Sequence, residues 1–370
     1  MSIGLLTFHQ ADNYGAVLQA YALQEALRNI DNNIEIINYY QPYIIDHYKI
    51  LNTKNKKKLI KAMLHSIANL VKKYKFSRFR KIYLDITEKV YVHPHNITGK
   101  DTYIVGSDQI WNKDITNFDE TFFLNFCETN VKKIAYAASI GNDFLNNEDR
   151  CFLKKHLQAF HHISVREDTA KKLLKELTDK EIVQVLDPTL LVPKIVWNKL
   201  LLPTKVRDKY LLIYMVNMDY SVFRVANCIA ERLDLKIYFI DEAIRKKQYV
   251  HKNVKKVGPL EFLTLISDAA FVVTNSFHGT AFSIVFNKDF VTVPTVNTGS
   301  RMLSLLKLLK LRDRIITEPD EIKSNYNLKI EYIEVKKVLE KERLKSLQFL
   351  QHSIESETGI QYEQNQKVFT

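Results

Sequence analysis

Residues 268–294 constrain the fold more than any other stretch of the chain, and they read DAAFVVTNSFHGTAFSIVFNKDFVTVP. Residues 269–273 form an apolar run that is typical of a buried strand. A polar hinge follows, then an apolar segment with helical spacing, and then a second apolar run over 290–293. This order of strand, turn, helix and strand is the repeating unit of a parallel α/β sheet.

The start of the helix in this segment is a candidate anion-binding site. Ligands of parallel sheets bind beyond the carboxyl ends of strands, where the free N–H groups of helix N-termini favour negative charge. Ser276, His278 and Gly279 lie at that point, and Gly279 would let a ligand approach the backbone closely. The alternative is that His278 is a helix cap or an ordinary surface residue.

The α/β alternation runs through both halves of the chain. A strand over 3–7 and a helix over 14–28 open the first half, and the alternation restarts with a strand over 210–216. The basic, proline-containing segment 193–208 between them is predicted to be a linker. We therefore predict an α/β protein with one Rossmann-like domain over 1–192 and a second over 209–325. A charged amphipathic helix over 326–356 is expected to fold back across both, followed by a frayed tail over 357–370.

Composition indicates an anionic partner. The net charge is +12 and the sequence pI is about 9.3, although no standard nucleic-acid-binding pattern is present. Three widely spaced cysteines, no signal-peptide pattern and no apolar run of about 20 residues favour a cytoplasmic protein. Residues 54–81 predict a basic amphipathic helix without an acidic residue, which suits the surface of an anionic membrane. The alternative is a helix packed on its domain with a solvated lysine face.

Further candidates follow predicted strands or begin predicted helices. Arg166 ends a strand, where a guanidinium can bind a carboxylate or phosphate in bidentate fashion, unless Glu167 and Asp168 pair with it. Arg301 begins a helix, where a cation opposes the helix dipole, and a role in ligand binding would explain it. Asp187 is interpreted as a turn residue.

Six blocks occur in order along the chain: DNYGAVLQAYALQEAL, YIVGSDQIWN, AYAASIGN, ISVREDTAKKLL, VLDPTLLV and NSFHGTAFSIVFNKDFVTV. Together they resemble the polysaccharide pyruvyl transferase family from about Ile3 to about Arg314. The resemblance implies a glycosyltransferase-B-like architecture of two Rossmann-like domains facing across a cleft. It also implies transfer of a pyruvyl group from phosphoenolpyruvate to a sugar of a bacterial-type surface polysaccharide or its lipid-linked precursor, giving a pyruvate ketal. The protein would act in the cytoplasm, peripherally on the inner face of the membrane, with phosphoenolpyruvate as co-substrate and with neither a resident cofactor nor a metal.

The resemblance also implies roles for individual residues. His278 would be the general acid and Asp108 would orient or deprotonate a sugar hydroxyl. The donor would be bound by Arg166, Ser276, Gly279 and Arg301, and the acceptor by Asn13, Tyr14, Gly15, Gln19, Ser107 and Trp111. As alternatives, Asn13 and Asp108 are helix caps and Trp111 is a core residue.

One position departs from the family pattern. Many members have an arginine two residues before the histidine, whereas this chain has Ser276. Arg166 or Arg301 would then replace that arginine, or the donor would differ. The alternatives are a nucleotide-sugar-dependent glycosyltransferase of the same architecture and a non-catalytic protein that binds an anionic glycan.

Overall fold

The computed structural model describes residues 1–41, 59–128, 130–203, 206, 208–241, 248–294 and 299–356, with the backbone alone over 59–69. In these ranges the strands form two parallel sheets. The first sheet has the order β2-β1-β3-β4-β5-β6, with β1 Ile3–Leu6, β2 Ile34–Ile36, β3 Thr102–Asp108, β4 Lys132–Ala138, β5 His162–Val165 and β6 Ile182–Gln184. The second has the order β11-β10-β7-β8-β9, with β7 Tyr210–Tyr214, β8 Lys236–Ile240, β9 Lys252–Val254, β10 Phe271–Thr274 and β11 Asp289–Thr292.

Helices cover both sheets, because parallel strands bury both of their faces. The α-helices of the described ranges are α1 Tyr14–Arg28, α2 Leu59–Tyr83, α3 Lys113–Thr116, α4 Asn147–Leu157, α5 Asp168–Lys175, α6 Pro188–Leu191, α7 Lys194–Asn198, α8 Tyr220–Leu233, α9 Pro259–Asp268, α10 Phe277–Val285, α11 Gly299–Leu308 and α12 Tyr332–Glu355. All four residues of β10 are buried, as the apolar run predicted. The predicted α/β class is confirmed, and the two sheets have the arrangement of a glycosyltransferase-B-like protein.

The two sheets share one apolar core at the base of the cleft. Tyr14 of α1 stacks on Phe262 of α9, with ring centroids 4.5 Å apart. Trp197 of α7 is fully buried between Tyr21 and Phe282, at 5.7 and 4.9 Å. The first half of the segment predicted as a linker is therefore a short helix packed into this core.

Helix α12 contacts both halves of the molecule. Near its start, the Tyr332 hydroxyl donates a hydrogen bond to the Lys288 carbonyl, just before β11. In its middle, Arg343 Nε donates to Leu190 O at 3.0 Å. At its end, Lys132 Nζ of β4 donates to Ile354 O at 2.6 Å. The tail predicted over 357–370 lies outside the described residues.

Helix α2 lies against the junction of the two sheets, and residues 54–58 of the predicted basic helix lie outside the described residues. Phe76 and Phe79 are buried, and Phe76 packs on Tyr14 with ring centroids 5.3 Å apart. Lys75 forms an ion pair with Glu261 of α9. Over the described residues, no helix has the combination of length and apolar character that crossing a bilayer requires.

Candidate active site

The candidate site lies where the carboxyl ends of β3, β5 and β6 face the N-terminus of α10 from the other sheet. β10, which leads into α10, pairs with β7 at the point where the strand order of the second sheet reverses. Such a switch point opens a crevice at a parallel sheet edge, which is the usual ligand-binding position. The residues predicted from separate motifs come from loops that meet here.

Ser276 caps α10. Its Oγ accepts a hydrogen bond from Gly279 N at 3.3 Å, and its carbonyl accepts one from Thr280 N at 3.0 Å. Gly279 has a packing reason to be glycine, because an added Cβ would lie 2.3 Å from Thr274 Oγ1. Packing against Thr274 therefore explains this glycine without a close ligand approach, and the donor-binding role of Gly279 stays a prediction.

His278 is buried, with 11 % of its side chain exposed. Its Nε2 atom has no hydrogen-bond partner and faces Asp187 Oδ2 at 3.9 Å. Its Nδ1 atom faces α1, where a Cβ on Gly15 would lie only 2.0 Å away. Burial lowers the pKa of His278, and the carboxylates of Asp187 and Asp108 oppose that shift only in part. The imidazole is therefore less basic than that of an ordinary histidine and is neutral near pH 7.

Asp187 is the residue whose importance the sequence did not reveal. Its Oδ1 accepts hydrogen bonds from Thr189 N at 2.9 Å and Thr189 Oγ1 at 2.6 Å, which is the predicted turn role as the cap of α6. Its Oδ2 accepts from Arg166 at 2.8 Å and from Ser107 Oγ at 3.2 Å. Although burial alone would raise the pKa of Asp187, the charge of Arg166 and the hydrogen bond from Thr189 hold it below its ordinary value, so the group is a buried carboxylate. One side chain thus both caps a helix and links the arginine to the histidine.

Arg166 is enclosed by carboxylates and an aromatic ring. Besides Asp187, it faces Glu167 at 3.6 Å and Asp108 at 3.8 Å. Its guanidinium carbon lies 4.3 Å from the ring centroid of Phe277, across the cleft. Burial opposes its charge, but the carboxylates outweigh burial and raise the pKa of Arg166. The alternative of a structural pairing therefore accounts for much of this residue, although its Nε and NH2 atoms have no hydrogen-bond partner.

Arg301 of α11 is the other buried cation here, and it differs from Arg166. It is 7 % exposed and makes no hydrogen bond or ion pair with any residue of the described ranges. Burial and then the charge of Arg166 lower the pKa of Arg301, while Glu167 and Asp108 oppose that shift. Its charge also lowers the pKa of His278, so the two side chains share one electrostatic environment. A buried guanidinium with no partner among the described residues is a group that could bind an anion.

Asp108 is the last residue of β3 and has a positive φ of 71°, which aspartate tolerates better than most residues. Its Oδ1 accepts a hydrogen bond from Gln109 N at 2.9 Å, but the next helix, α3, is capped by Asn112, so the alternative that Asp108 caps a helix is wrong. The preceding Ser107 is fully buried, and its N–H donates to Gln19 Oε1 at 3.2 Å. Ser107 and Gln19 therefore hold the loop that carries Asp108, while the carboxylate itself stays 13 % exposed.

The remaining acceptor candidates lie in structural positions. Asn13 caps α1, accepting a hydrogen bond from Ala16 N at 3.2 Å. Tyr14 lies in the shared core and donates its hydroxyl proton to Val257 O at 3.0 Å. Trp111 is 1 % exposed, and its Nε1 donates to Phe122 O at 3.1 Å. The open alternatives, a cap and a core residue, describe Asn13 and Trp111 in this structure, and acceptor binding by these residues stays a prediction.

Metal ligands are not grouped at this site or elsewhere in the described part of the chain. Among those residues, no three His, Cys, Asp or Glu side chains are arranged to hold an ion. What the site offers is a neutral imidazole, a buried carboxylate network and an unpaired guanidinium at a helix N-terminus. This set suits a small, highly charged anion.

The fold is that of a two-Rossmann-domain, glycosyltransferase-B-like protein, with the candidate site between its two halves. The family model for polysaccharide pyruvyl transferase matches residues 13–295, and the chain belongs to that family. The resemblance seen in the six sequence blocks is thereby confirmed. A comparison with curated proteins gave no match.

Solved structures are similar to this chain at low sequence identity. A UDP-N-acetylglucosamine 2-epimerase has a TM-score of 0.52 and 12% identity over 100% of this chain and 99% of its own. The Methanocaldococcus jannaschii UDP-GlcNAc 2-epimerase, solved with UDP-GlcNAc and UDP, has a TM-score of 0.43 and 17% identity, covering 92% of this chain and 98% of its own. Medicago truncatula UGT71G1, solved with UDP-glucose, has a TM-score of 0.45 and 12% identity, covering 95% and 98%. At such identities the likeness concerns the fold alone.

Proposed function

We propose that this family member transfers the pyruvyl group of phosphoenolpyruvate to two hydroxyls of a saccharide, forming a pyruvate ketal. The acceptor is a bacterial-type surface polysaccharide or its lipid-linked precursor, and the protein acts in the cytoplasm at the inner face of the membrane. No resident cofactor or metal is part of the proposal. The observation that carries it is the buried guanidinium of Arg301, which has no partner among the described residues and whose charge acts on His278, because phosphoenolpyruvate is a small anion with a carboxylate and a phosphate.

Donor binding would use Arg301 and the N-terminus of α10, where helix N–H groups lack intrahelical partners. Ser276 stands where many relatives have an arginine, and it caps this helix. Arg301 supplies the cation from α11 in its place. Arg166 is already engaged by Asp187, and its proposed contribution is mainly the positive potential that it adds to the donor site.

The proton chemistry would centre on His278. The neutral imidazole gains a proton as the donor anion binds, because a nearby negative charge raises a histidine pKa. His278 then protonates the methylene carbon of the donor, leaving an oxocarbenium-like carbon that a sugar hydroxyl attacks. Asp108 accepts the hydroxyl proton. A second hydroxyl displaces phosphate from the same carbon, which closes the ketal and releases inorganic phosphate.

The test is calorimetric titration with phosphoenolpyruvate, comparing the wild type with Arg301→Gln. Loss of a charge-assisted bidentate contact should weaken binding about 100-fold. Arg301→Gln should not lower stability, because it removes an unpaired buried charge. The control is Arg314→Gln, which removes an equally buried arginine that donates to Asn327 O at 2.8 Å, and it should lower stability without affecting the donor.

The proposal would be overturned if the wild-type protein did not bind phosphoenolpyruvate but did bind nucleoside diphosphates or nucleotide sugars. That result would assign the chain to nucleotide-sugar-dependent glycosyl transfer. Binding of a glycan with no response to either donor class would indicate the non-catalytic alternative. Release of inorganic phosphate from phosphoenolpyruvate in the presence of a saccharide acceptor would support transfer directly.

A further inference from the structure

The outer face of α2 is an exposed surface that the proposed chemistry does not use. Three large apolar side chains lie on it: Leu70, Tyr74 and Ile82 are 63%, 65% and 56% exposed. Three basic side chains, Lys73, Arg78 and Lys81, are exposed among them. These six residues recur at helical spacing from 70 to 82, so they form one continuous stripe, called here the outer stripe.

The opposite face of α2 attaches the helix to the rest of the protein. Phe76 and Phe79 are buried, and the basic residues beside them are paired inward: Lys75 with Glu261, and Arg80 with Asp12 at 2.9 Å. The basic residues of the outer stripe, in contrast, make no ion pair or hydrogen bond with any described residue. The stripe therefore contributes nothing to holding the helix in place.

The charged residues of α2 and of the sequence just before it are all basic. Residues 54–81 contain eleven lysines and arginines and no aspartate or glutamate. Apolar and basic residues alternate along the outer stripe and do not separate into an apolar centre with a polar rim, as they would in a protein–protein interface. Alternating apolar and basic side chains suit a lipid surface, where apolar groups enter the headgroup layer and cations contact anionic lipids.

A groove beside the outer stripe opens at the same sheet edge as the candidate site. It has a volume of about 470 Å³ and is lined by Ser77, Arg80 and Lys81 of α2 together with His9, Gln10 and Asn38. His9 and Asn38 follow β1 and β2, so the groove opens at the sheet edge that also carries Asp108. Lys81 belongs to both the groove and the stripe.

We infer that the outer stripe of α2 docks the protein on an anionic lipid surface. The docking places the groove at the membrane, beside the phosphate-bearing end of a lipid-linked acceptor. This second statement rests on the proposed function, whereas the docking itself does not.

The first experiment uses Tyr74→Trp as a reporter. Both native tryptophans, Trp111 and Trp197, are buried, so the fluorescence of a tryptophan at position 74 would report on the surroundings of the outer stripe. Its emission should shift to the blue on mixed phosphatidylglycerol–phosphatidylcholine vesicles and stay unchanged on phosphatidylcholine alone. An unchanged spectrum on both vesicle types overturns the inference.

The second experiment measures co-sedimentation of the full chain with the same vesicles. Lys73→Gln, Arg78→Gln and Lys81→Gln together should weaken binding roughly 100-fold, at about 1 kcal/mol for each basic residue near the surface. The control removes three exposed lysines of α12, Lys336, Lys341 and Lys345, and so makes the same change in net charge. Equal loss in both triple variants, or equal binding to a soluble polyanion, would show attraction by net charge alone and overturn the inference.

These measurements do not depend on activity. A protein that binds phosphoenolpyruvate but not anionic vesicles would keep the proposed function and lose the docking surface. A protein that binds vesicles through the stripe but not phosphoenolpyruvate would keep the docking surface and lose the proposed reaction.

Discussion

Asp187 shows how much a single buried carboxylate can hold together. It caps α6 through Thr189, fixes Arg166 and faces His278. Asp187 is the carboxylate that hydrogen-bonds Arg166 directly, whereas Glu167 and Asp108 face the guanidinium from 3.6 and 3.8 Å. Removing the charge at 187 would therefore leave a buried arginine incompletely compensated, which is among the costlier single changes in a protein interior.

Asp187→Asn should lower the free energy of unfolding by about 3 kcal/mol, measured by urea denaturation. The matched control is Asp219→Asn, because Asp219 caps α8 by the same two contacts, to Ser221 N at 2.9 Å and Ser221 Oγ at 2.7 Å, and pairs with no arginine of the described ranges. Asparagine is as good a cap as aspartate, so the control should change stability by only a few tenths of a kcal/mol. Similar losses in both variants would mean that the cap, and not the arginine pair, accounts for the effect.

At the scale of elements, the contact between α1 and α10 joins the two halves at the candidate site. The first turn of α1 presents Gly15 to the His278 ring, and there is no room for a methyl group between them. The predicted role of Gly15 in acceptor binding is untested, but this contact already explains the residue. The absence of a side chain lets two helices from different sheets meet at the imidazole.

Gly15→Ala should destabilise the protein and impair donor binding, because the new methyl group would lie 2.0 Å from His278 Nδ1. Gly299→Ala is the control. It also lies in the first turn of a helix, and among the described residues the nearest atom to an added Cβ would be Pro294 Cβ, at an ordinary 3.6 Å. Alanine is favoured over glycine in helices by up to about 1 kcal/mol, so the control should be neutral or stabilising. Thermal unfolding and phosphoenolpyruvate titration of both variants would distinguish these outcomes, and a fully active, stable Gly15→Ala protein would contradict the prediction.

The sequence predicted the elements with strong patterns and missed those without them. Apolar runs predicted the buried strands, and 3.6-residue spacing predicted α1, α10 and α12. The edge strand β9, with its sequence KNV, has no apolar run, and the four-residue α6 is too short to show a helical period. Spacing alone also cannot bring Asp187 to Arg166 and His278, since that contact depends on how two sheets pack.

At the scale of the whole molecule, a buried neutral histidine makes stability depend on pH. His9 is 2 % exposed, and burial lowers its pKa to about 4, with smaller opposing effects from Thr7 and Asn38. The unfolded chain takes up a proton near pH 6.5, whereas the folded chain resists until about pH 4. This contribution is therefore present above about pH 6.5 and is lost as the pH falls through that window.

Replacing His9 by glutamine should flatten the acid side of the stability profile. Between about pH 7 and about pH 5 the wild type should lose about 2 kcal/mol that the variant retains. Urea denaturation midpoints of both proteins at the two pH values would measure the difference. If the stability of the two proteins changed with pH in parallel, the prediction would be wrong, because His9 would not then bind its proton in this pH range in the unfolded chain only.

Burial of His278 is a joint product of the two halves of the molecule. The imidazole belongs to α10 of one sheet, whereas the glycine that covers it and the carboxylate that faces it come with the other sheet. Any rotation that widened the angle between the sheets would readmit water to the ring and increase its affinity for protons. Proton binding and opening are thermodynamically linked, so a lower pH would favour the open arrangement to the same extent that opening raises the affinity of His278 for a proton. The acid strength of this histidine is thus set by the angle between two domains rather than by the loop that carries it.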